Sequence, residues 1–270
     1  MTAHNQEPTC RQRTITAGLL FLIAPAILAQ QAGPPQVTPQ RPTFTNSTAT
    51  TAPGSLETEF GLIGPWDTYA LPTSVKFTPP VQSGLFHQLE FSLQFDALER
   101  ILLLDDAAHK FGQTLDFVLR RPVYAGDNFS FALAPRAEFF LRDGSGANLG
   151  GAAIGSYLFG LNSLNFTVTG KAATAPSRVA PPWGVDVAYG YARTLGESGV
   201  AGRLALAIEA QHELPSGSPN RTSLLQSVTY SIRPNLAFDI GVEQHGLQAG
   251  NFQWIFRSGF TYNFGYLWRR

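Results

Sequence analysis

Aromatic side chains occupy almost every second position at the carboxyl end of this 270-residue chain, and polar or small residues fill most positions between them. Because successive side chains of a β-strand point to opposite faces, this period of two predicts a final strand with one aromatic face. Such a strand would aggregate in water, whereas a lipid bilayer accepts it and places aromatic rings at both interfaces. The aromatic positions are Phe252, Trp254, Phe256, Phe260, Tyr262, Phe264, Tyr266 and Trp268.

The same period of two recurs through the chain from residue 56 onward. Between Leu89 and Phe95, for instance, apolar and polar residues alternate without a break. Connections rich in Gly and Pro separate about twelve such segments, which predicts antiparallel strands joined in sequence. The predicted strands lie near 56–62, 73–79, 86–96, 111–120, 129–141, 147–158, 162–170, 183–193, 202–212, 222–232, 235–243 and 252–264.

A membrane protein built of helices is not supported, since no internal stretch reaches the ~18 consecutive apolar residues that a spanning helix needs. The face opposite the apolar one carries charges repeatedly, which the lumen of a barrel tolerates and the core of a soluble sandwich does not. We therefore predict an all-β fold, a transmembrane antiparallel up-and-down β-barrel of about 12 strands over residues 56–270. Long outer loops such as 63–72 should alternate with short turns such as Arg233–Pro234.

The first 29 residues have the pattern of a signal peptide. Arg11 and Arg13 precede an apolar stretch from Ile15 to Leu28, and Ala29 is a small residue suited to cleavage. This predicts export to the outer membrane of a Gram-negative bacterium, with membrane lipid and the barrel-assembly machinery as partners. The only cysteine, Cys10, would be removed with the signal peptide, so the mature chain would contain no disulfide or thiolate metal site.

Residues 30–55 are rich in Pro, Thr, Ser and Gln and contain almost no large apolar side chains. A segment of this composition buries too little apolar surface to offset the entropy lost on ordering. We therefore predict a flexible periplasmic segment between the signal peptide and the barrel.

Charged residues on the predicted inner face are the best candidates for function. Both signs occur on neighbouring strands, and two interpretations remain open. The charges either form ion-pair ladders that fill a narrow barrel, or line a channel and tune its selectivity. The candidates are Glu90, Asp116, Arg120, Arg136, Glu138, Asp186, Arg203, Glu209, Arg233, Asp239, Glu243 and Arg257.

Other kinds of site are not indicated. The mature chain would keep His87, His109, His212 and His245, but without a Ser–His–acid spacing or a G-x-S-x-G elbow. Scattered histidines without clustered carboxylates do not suggest a metal site. The 19 basic and 19 acidic residues balance, so no nucleic-acid partner is expected. We predict that the protein is not an enzyme and uses no cofactor.

The last strand resembles the assembly signal of bacterial outer-membrane barrels, in which a polar residue is followed two positions later by Gly and then by alternating aromatic or apolar residues. Arg257, Gly259, Tyr262 and Phe264 take these places. The chain departs from that pattern by continuing past Phe264 to Arg270.

Two regions resemble an outer-membrane protein family named for the meta-cleavage pathway of phenol degradation. The residues are RPTFTNSTATTAPGSLETEFG at 41–61, SVTYSIRPNLAFDIGVEQHGL at 227–247 and SGFTYNFG at 258–265. The resemblance covers both ends of the barrel and implies an outer-membrane barrel involved in the uptake of hydrophobic or aromatic compounds.

The predicted function is therefore a porin-like channel or transporter for passive uptake of small solutes, hydrophobic or aromatic ones among them; the sequence does not identify the solute. One alternative is a structural or adhesive barrel with a plugged lumen. The least favoured alternative is an outer-membrane enzyme that modifies lipids.

Overall fold

The computed structural model describes residues 35–40, 43–64, 68–101, 109–110, 114–141, 146–175, 181–249 and 252–267. The predicted signal peptide, 1–29, lies outside the described residues.

The described chain forms thirteen β-strands and three short 3₁₀ turns, at Gly84–Phe86, Ala201–Arg203 and Leu247–Ala249. No helix among the described residues is long and apolar enough to cross a membrane. The strands are β1 (Ser55–Gly64), β2 (Thr68–Phe77), β3 (Glu90–Ile101), β4 (His109–Lys110), β5 (Thr114–Ala125), β6 (Phe129–Phe140), β7 (Ala147–Phe159), β8 (Asn162–Ala173), β9 (Trp183–Thr194), β10 (Leu204–Pro215), β11 (Arg221–Arg233), β12 (Leu236–His245) and β13 (Gln253–Tyr266).

Twelve of these strands close into a ring. Neighbours in the chain pair antiparallel, β1 pairs with β13, and β2 pairs with both β1 and β3. The two-residue β4 pairs with β3 only, beyond the part of β3 that pairs with β5. The predicted fold class and strand number are therefore confirmed, because each of the twelve predicted segments corresponds to one strand of the ring.

The prediction for 63–72 was wrong. β2 already begins at Thr68, so the connection between β1 and β2 is only three residues, 65–67. Pro72 made this region look like a loop in the sequence. The strand accommodates it at an irregularity in the β2–β3 pairing between Ala70 and Pro72, where no ladder hydrogen bond from Pro72 is needed.

The barrel has two distinct rims. The terminal rim, where β1 begins and β13 ends, carries the connections 78–89, 126–128, 160–161, 195–203 and 234–235. The far rim carries 65–67, 102–113, 141–146, 174–182, 216–220 and 246–252. The three shortest hairpins of the terminal rim match the predicted short turns, but 78–89 and 195–203 do not.

The outer surface of the wall is apolar. On β13, Trp254, Phe256 and Phe264 are 41–56% exposed, while Gly259, Thr261 and Asn263 between them are buried on the inner side. The other strands repeat this pattern, with Phe60 beside Phe260 across the closing pair of strands. A surface of this kind is stable in lipid hydrocarbon, where the ring also satisfies the backbone hydrogen bonds of its strands.

The residues of the predicted assembly signal all lie on β13. Arg257 and Gly259 face inward, whereas Tyr262 and Phe264 belong to the outward-facing series. Gly259 pairs with Gly61 of β1, at the place where the ring closes.

We predict that Gly259→Ala weakens this closing pair of strands. The added methyl carbon would lie 2.4 Å from the backbone oxygen of Phe60, which cannot move without disturbing the ladder. The expected loss is about 1–3 kcal/mol of unfolding free energy, the usual range for an overpacked site. The measurement is the urea midpoint of the refolded barrel in detergent, followed by tryptophan fluorescence.

Gly170→Ala is the matched control, because a methyl group there meets no heavy atom within 4 Å. Equal urea midpoints for the two variants would show that the β1–β13 contact does not require glycine.

Candidate functional site

The inner face of the wall carries most of the predicted charged residues. Ten of the twelve candidates lie on inward-facing positions of the strands. These ten are Glu90, Asp116, Arg120, Arg136, Glu138, Asp186, Glu209, Asp239, Glu243 and Arg257.

Arg203 and Arg233 lie at the terminal rim instead, and both are exposed. Arg203 belongs to the 3₁₀ turn before β10, and its guanidinium donates to the backbone oxygen of Ile232 at 3.4 Å. Arg233 ends β11 next to the 234–235 turn. The prediction that these two line the lumen was wrong, since Arg203 directly precedes β10 and Arg233 is the last residue of β11, after a register shift in the β11–β12 pairing.

A segment that precedes the barrel, residues 35–40 and 43–54, lies inside the lumen; we call it the tail. The tail is anchored at two points, which we call its feet. At the first foot, the Val37 N–H donates to the backbone oxygen of Pro234 at the terminal rim (2.9 Å). At the other foot, the Gly54 N–H donates to the oxygen of Thr78 at the same rim (2.7 Å). Between the feet, the tail reaches residues about halfway along β8 and β10. It therefore enters and leaves by one rim and occupies part of the terminal half of the lumen.

Four buried glutamates of the wall hold the backbone of the tail. Glu57 and Glu59 of β1 accept the N–H groups of Thr38 at 2.9 Å and Gln40 at 2.7 Å. On the other side of the lumen, one carboxylate oxygen of Glu209 accepts two consecutive N–H groups.

The two N–H groups that Glu209 accepts belong to Phe44 and Thr45, and each nitrogen lies 2.7 Å from Oε2 of Glu209. Near the second foot, Glu90 accepts the N–H of Thr51 at 2.7 Å. All four carboxylates are at most 3% exposed. Hydrogen bonds to charged acceptors are the stronger kind, so they satisfy tail N–H groups that have no strand partner.

Two buried cations of the wall hold acceptor groups of the tail. Lys76 of β2 donates to the backbone oxygen of Thr38 at 3.0 Å, and its ammonium also lies 3.2 Å from Glu57 and 2.6 Å from Glu59. Arg120 of β5 donates to the side-chain oxygen of Gln40 at 2.5 Å. The wall and the tail thus complement each other in both donors and acceptors.

Hydroxyl groups fix the middle of the tail. The Thr48 hydroxyl lies 2.5 Å from the hydroxyl of Ser130 on β6, and the Asn46 N–H donates to the Thr167 hydroxyl at 3.0 Å. The ring of Phe44, the large aromatic of the described tail, lies 5.3 Å below the guanidinium carbon of Arg257.

The location predicted for residues 30–55 differs from the one observed. The structure places the described part in the lumen, with Val37, Gln40, Thr45, Thr48 and Thr51 all buried. The prediction considered only hydrophobic burial, which this composition cannot provide. Charge-assisted hydrogen bonds to the wall replace it here, and the sequence of the segment alone does not reveal them.

The far half of the lumen has a different character. Its ion pairs join neighbouring strands and stay partly exposed: Arg136 lies 2.6 Å from Asp116 and is 30% exposed, and Lys171 lies 3.9 Å from Asp186 and is 37% exposed. By contrast, Lys76 under the tail is 1% exposed. The cations of these far-half pairs therefore face water, whereas Asp116 itself is buried.

Further inward-facing groups complete the far half. Glu243 accepts from Arg257 through Nε at 2.8 Å and also through Nη2. Glu138 accepts from the amide of Asn148 at 2.7 Å. Both interpretations of the lumen charges thus find support, since pairs bridge adjacent strands and also line a water-exposed space.

Two cavities flank the tail. One of about 180 Å³ is polar and lies beside Gln40 and Asn46, where Glu59, Asp239 and Arg257 contribute charged groups. The other, of about 790 Å³, lies between tail residues 47–53 and the wall. Its lining of hydroxyl and amide groups includes Ser130 and Asn165.

Ser223, His245 and Glu243 lie together on the inner wall but do not have the geometry of a catalytic triad. The Ser223 hydroxyl and Glu243 lie 2.9 and 3.1 Å from the same ring nitrogen of His245, Nδ1. In a triad the nucleophile and the acid contact opposite ring nitrogens, and here Glu243 is already paired with Arg257. No group of three or more potential metal-binding side chains comes together among the described residues.

On the outer face, His212 contacts the hydroxyls of Tyr189 and Thr222 at 3.2 and 3.0 Å. His87 is exposed in the 78–89 connection, and the side chain of His109 lies outside the described residues.

Sequence reasoning missed Lys76 and the tail. Lys76 lies on a strand whose alternation the prolines obscure, so it was not assigned to the inner face. The available signal was the pair Glu57 and Glu59, two carboxylates on one strand face that require compensating charge when they are buried.

The fold and the lumen define a porin-like transmembrane β-barrel with an occupied terminal half. No protein-family model matches the chain, and no curated protein matches it in sequence. Solved structures do match.

The KdgM porin aligns with a TM-score of 0.54 and 9% identity over 76% of this chain and 98% of that chain. The NanC porin aligns with a TM-score of 0.55 and 10% identity over 77% of this chain and 98% of that chain. A structure of the KdgM porin in complex with disordered oligogalacturonate aligns with a TM-score of 0.54, 10% identity and the same coverage as NanC. At these identities the likeness concerns the fold.

We predict that Lys76→Met strongly destabilises the barrel. The substitution leaves Glu57 and Glu59 buried without their cation and frees the Thr38 carbonyl. Breaking a buried pair by removing one partner costs about 3–5 kcal/mol. The measurement is the urea dependence of folding in detergent.

Lys171→Met is the control, since its pair with Asp186 is long and partly exposed. The control should change the unfolding free energy by about 1 kcal/mol or less. A Lys76→Met effect no larger than that would contradict the role of Lys76 as a buried counter-charge.

Proposed function

We propose that this protein is an outer-membrane channel for the passive uptake of small solutes. The observation that carries the proposal is a closed ring that is apolar outside and lined on its far half by ion pairs whose cations are partly exposed to water. If these side chains served only to fill the lumen, their charged groups would be buried. The porin likeness of the fold is consistent with this function.

The lumen favours polar solutes over hydrophobic ones. Its far half presents Arg136, Lys171 and Arg257 with their acidic partners, and a hydrophobic solute would have to desolvate them. A lateral route through the wall is not supported either. An outer groove of about 810 Å³ between Phe131 and Ile208 has a continuous ladder of paired strands beneath it. Uptake of aromatic compounds, which the family resemblance implies, would therefore suit polar aromatics best.

The second candidate is a closed barrel with a structural role, and the tail is the observation that favours it. The backbone of the tail is bonded to wall side chains on β1, β3 and β10, so the tail occupies the lumen of the terminal half. A permanently seated tail would block passage.

Single-channel recording of the refolded protein without its first 29 residues separates the two candidates. Stepwise conductance in a planar bilayer supports a channel. A barrel that is inserted and folded but silent supports the closed alternative.

We predict that Arg136→Glu shifts the ion selectivity of the channel toward cations. The change replaces one of the positive charges of the far half and leaves Asp116, its partner at 2.6 Å, beside a second carboxylate. The measurement is the reversal potential in a salt gradient. Arg203→Glu is the control, because Arg203 lies outside the strands and is exposed at the rim. Equal shifts in both variants would mean that the selectivity depends on the net charge of the protein and not on the charge in the far half of the lumen.

A further inference from the structure

The tail is attached to the wall in a way that permits its removal. Between Thr38 and Thr51, each bond that the described residues form across the lumen has a wall side chain as one partner, as at Glu209 and Ser130. Backbone bonds to the wall occur at the two feet, Val37 and Gly54. A segment held by side chains can leave without breaking any ladder of the ring.

Removal of the tail would uncover an acidic surface. Glu57, Glu59, Glu90 and Glu209 would lose the five backbone donors that now point at them. Against these four carboxylates the same part of the wall sets two buried cations, Lys76 and Arg120. The described residues of the tail carry no charged side chain, and the one basic residue of this segment, Arg41, lies outside the described ranges.

We propose that the tail is a displaceable occupant of the lumen, and that the glutamates beneath it are a cation-binding site which selects solutes in the open channel. This site fits cations that carry N–H donors, such as organic ammonium ions. Their N–H groups can take the place of the peptide N–H groups at the glutamates, and their positive charge adds an attraction. The inference rests on the proposed channel function.

The site is a built one. Its carboxylates come from β1 and β3 on one side of the lumen and from β10 across it. Lys76 pairs with Glu57 and Glu59, and Arg120 lies 3.5 Å from Glu90. A solute that passes the far half must pass these carboxylates before it leaves through the terminal rim. A concentration of carboxylates in a narrow, poorly hydrated passage attracts cations and excludes anions.

A reversible lock tests the inference on the intact mature chain. Thr48 and Ser130 are replaced together by cysteine, because their hydroxyl oxygens lie 2.5 Å apart. The natural Cys10 lies in the predicted signal peptide, so the mature chain brings no competing thiol. Thiol titration establishes that the disulfide has formed. Conductance and reversal potential are then recorded in a salt gradient before and after addition of a reductant.

The expected result is a small conductance in the locked protein that rises several-fold on reduction, with a reversal potential that reports cation selectivity. Spermidine should block the reduced channel in the micromolar to millimolar range, and neutral glycerol should not. In the reduced protein, Glu90→Gln should weaken both the cation selectivity and the block. Thr48→Cys alone and Ser130→Cys alone cannot form the lock, so reductant should leave their conductance unchanged.

Each contrary outcome has its own meaning. Equal conductance before and after reduction would overturn displacement of the tail and leave the channel function standing. A reduced channel without cation selectivity or spermidine block would overturn the cation site. Silence in both states, with the barrel folded and inserted, would overturn the channel function itself and the inference with it.

Discussion

The hydrogen bonds that close the ring between β1 and β13 are the constraint on which the rest of this structure depends. Lipid offers no partner to backbone N–H and C=O groups, so an open sheet edge is not tolerated there. Pairing the first strand with the last removes both edges. It also fixes which face of each strand meets lipid, because the side chains alternate, and gathers the polar face into one enclosed lumen. Gly61 and Gly259 meet at this closure, where a side chain would collide with the neighbouring backbone.

Enclosing the polar face creates a second problem, which the two halves of the lumen solve differently. In the far half, cations such as Arg136 are partly exposed to water and pair with a carboxylate on the neighbouring strand, here Asp116. In the terminal half, Glu57 and Glu209 are buried, and a buried carboxylate needs donors. The tail supplies them from its backbone. Because peptide N–H groups are present in any non-proline residue, the sequence of the tail needs little more than small polar side chains that fit the space.

Much of the wall was predictable because alternation is a local property. The strands from β6 to β9 begin at the predicted residues, 129, 147, 162 and 183, since each apolar face must meet lipid for its whole length. Prediction failed where a local signal misled. Pro72 concealed the start of β2, which begins at Thr68. Lys76 lies within the predicted strand 73–79 but was not assigned to the inner face. Arg203 and Arg233 were assigned to the lumen because alternation in the sequence does not show where a strand ends.

The sequence by itself determined a transmembrane barrel of about twelve strands, its lipid-facing aromatic surface and most of the charged inner face, because these follow from a period of two. Only the tertiary structure decided the place of residues 35–40 and 43–54 and which lumen charges are buried. Glu209 is 164 residues away from the Thr45 N–H that it accepts, and closure of the ring alone brings them together. Since many contacts of this segment run from its backbone to distant carboxylates, they leave no pattern in its own composition.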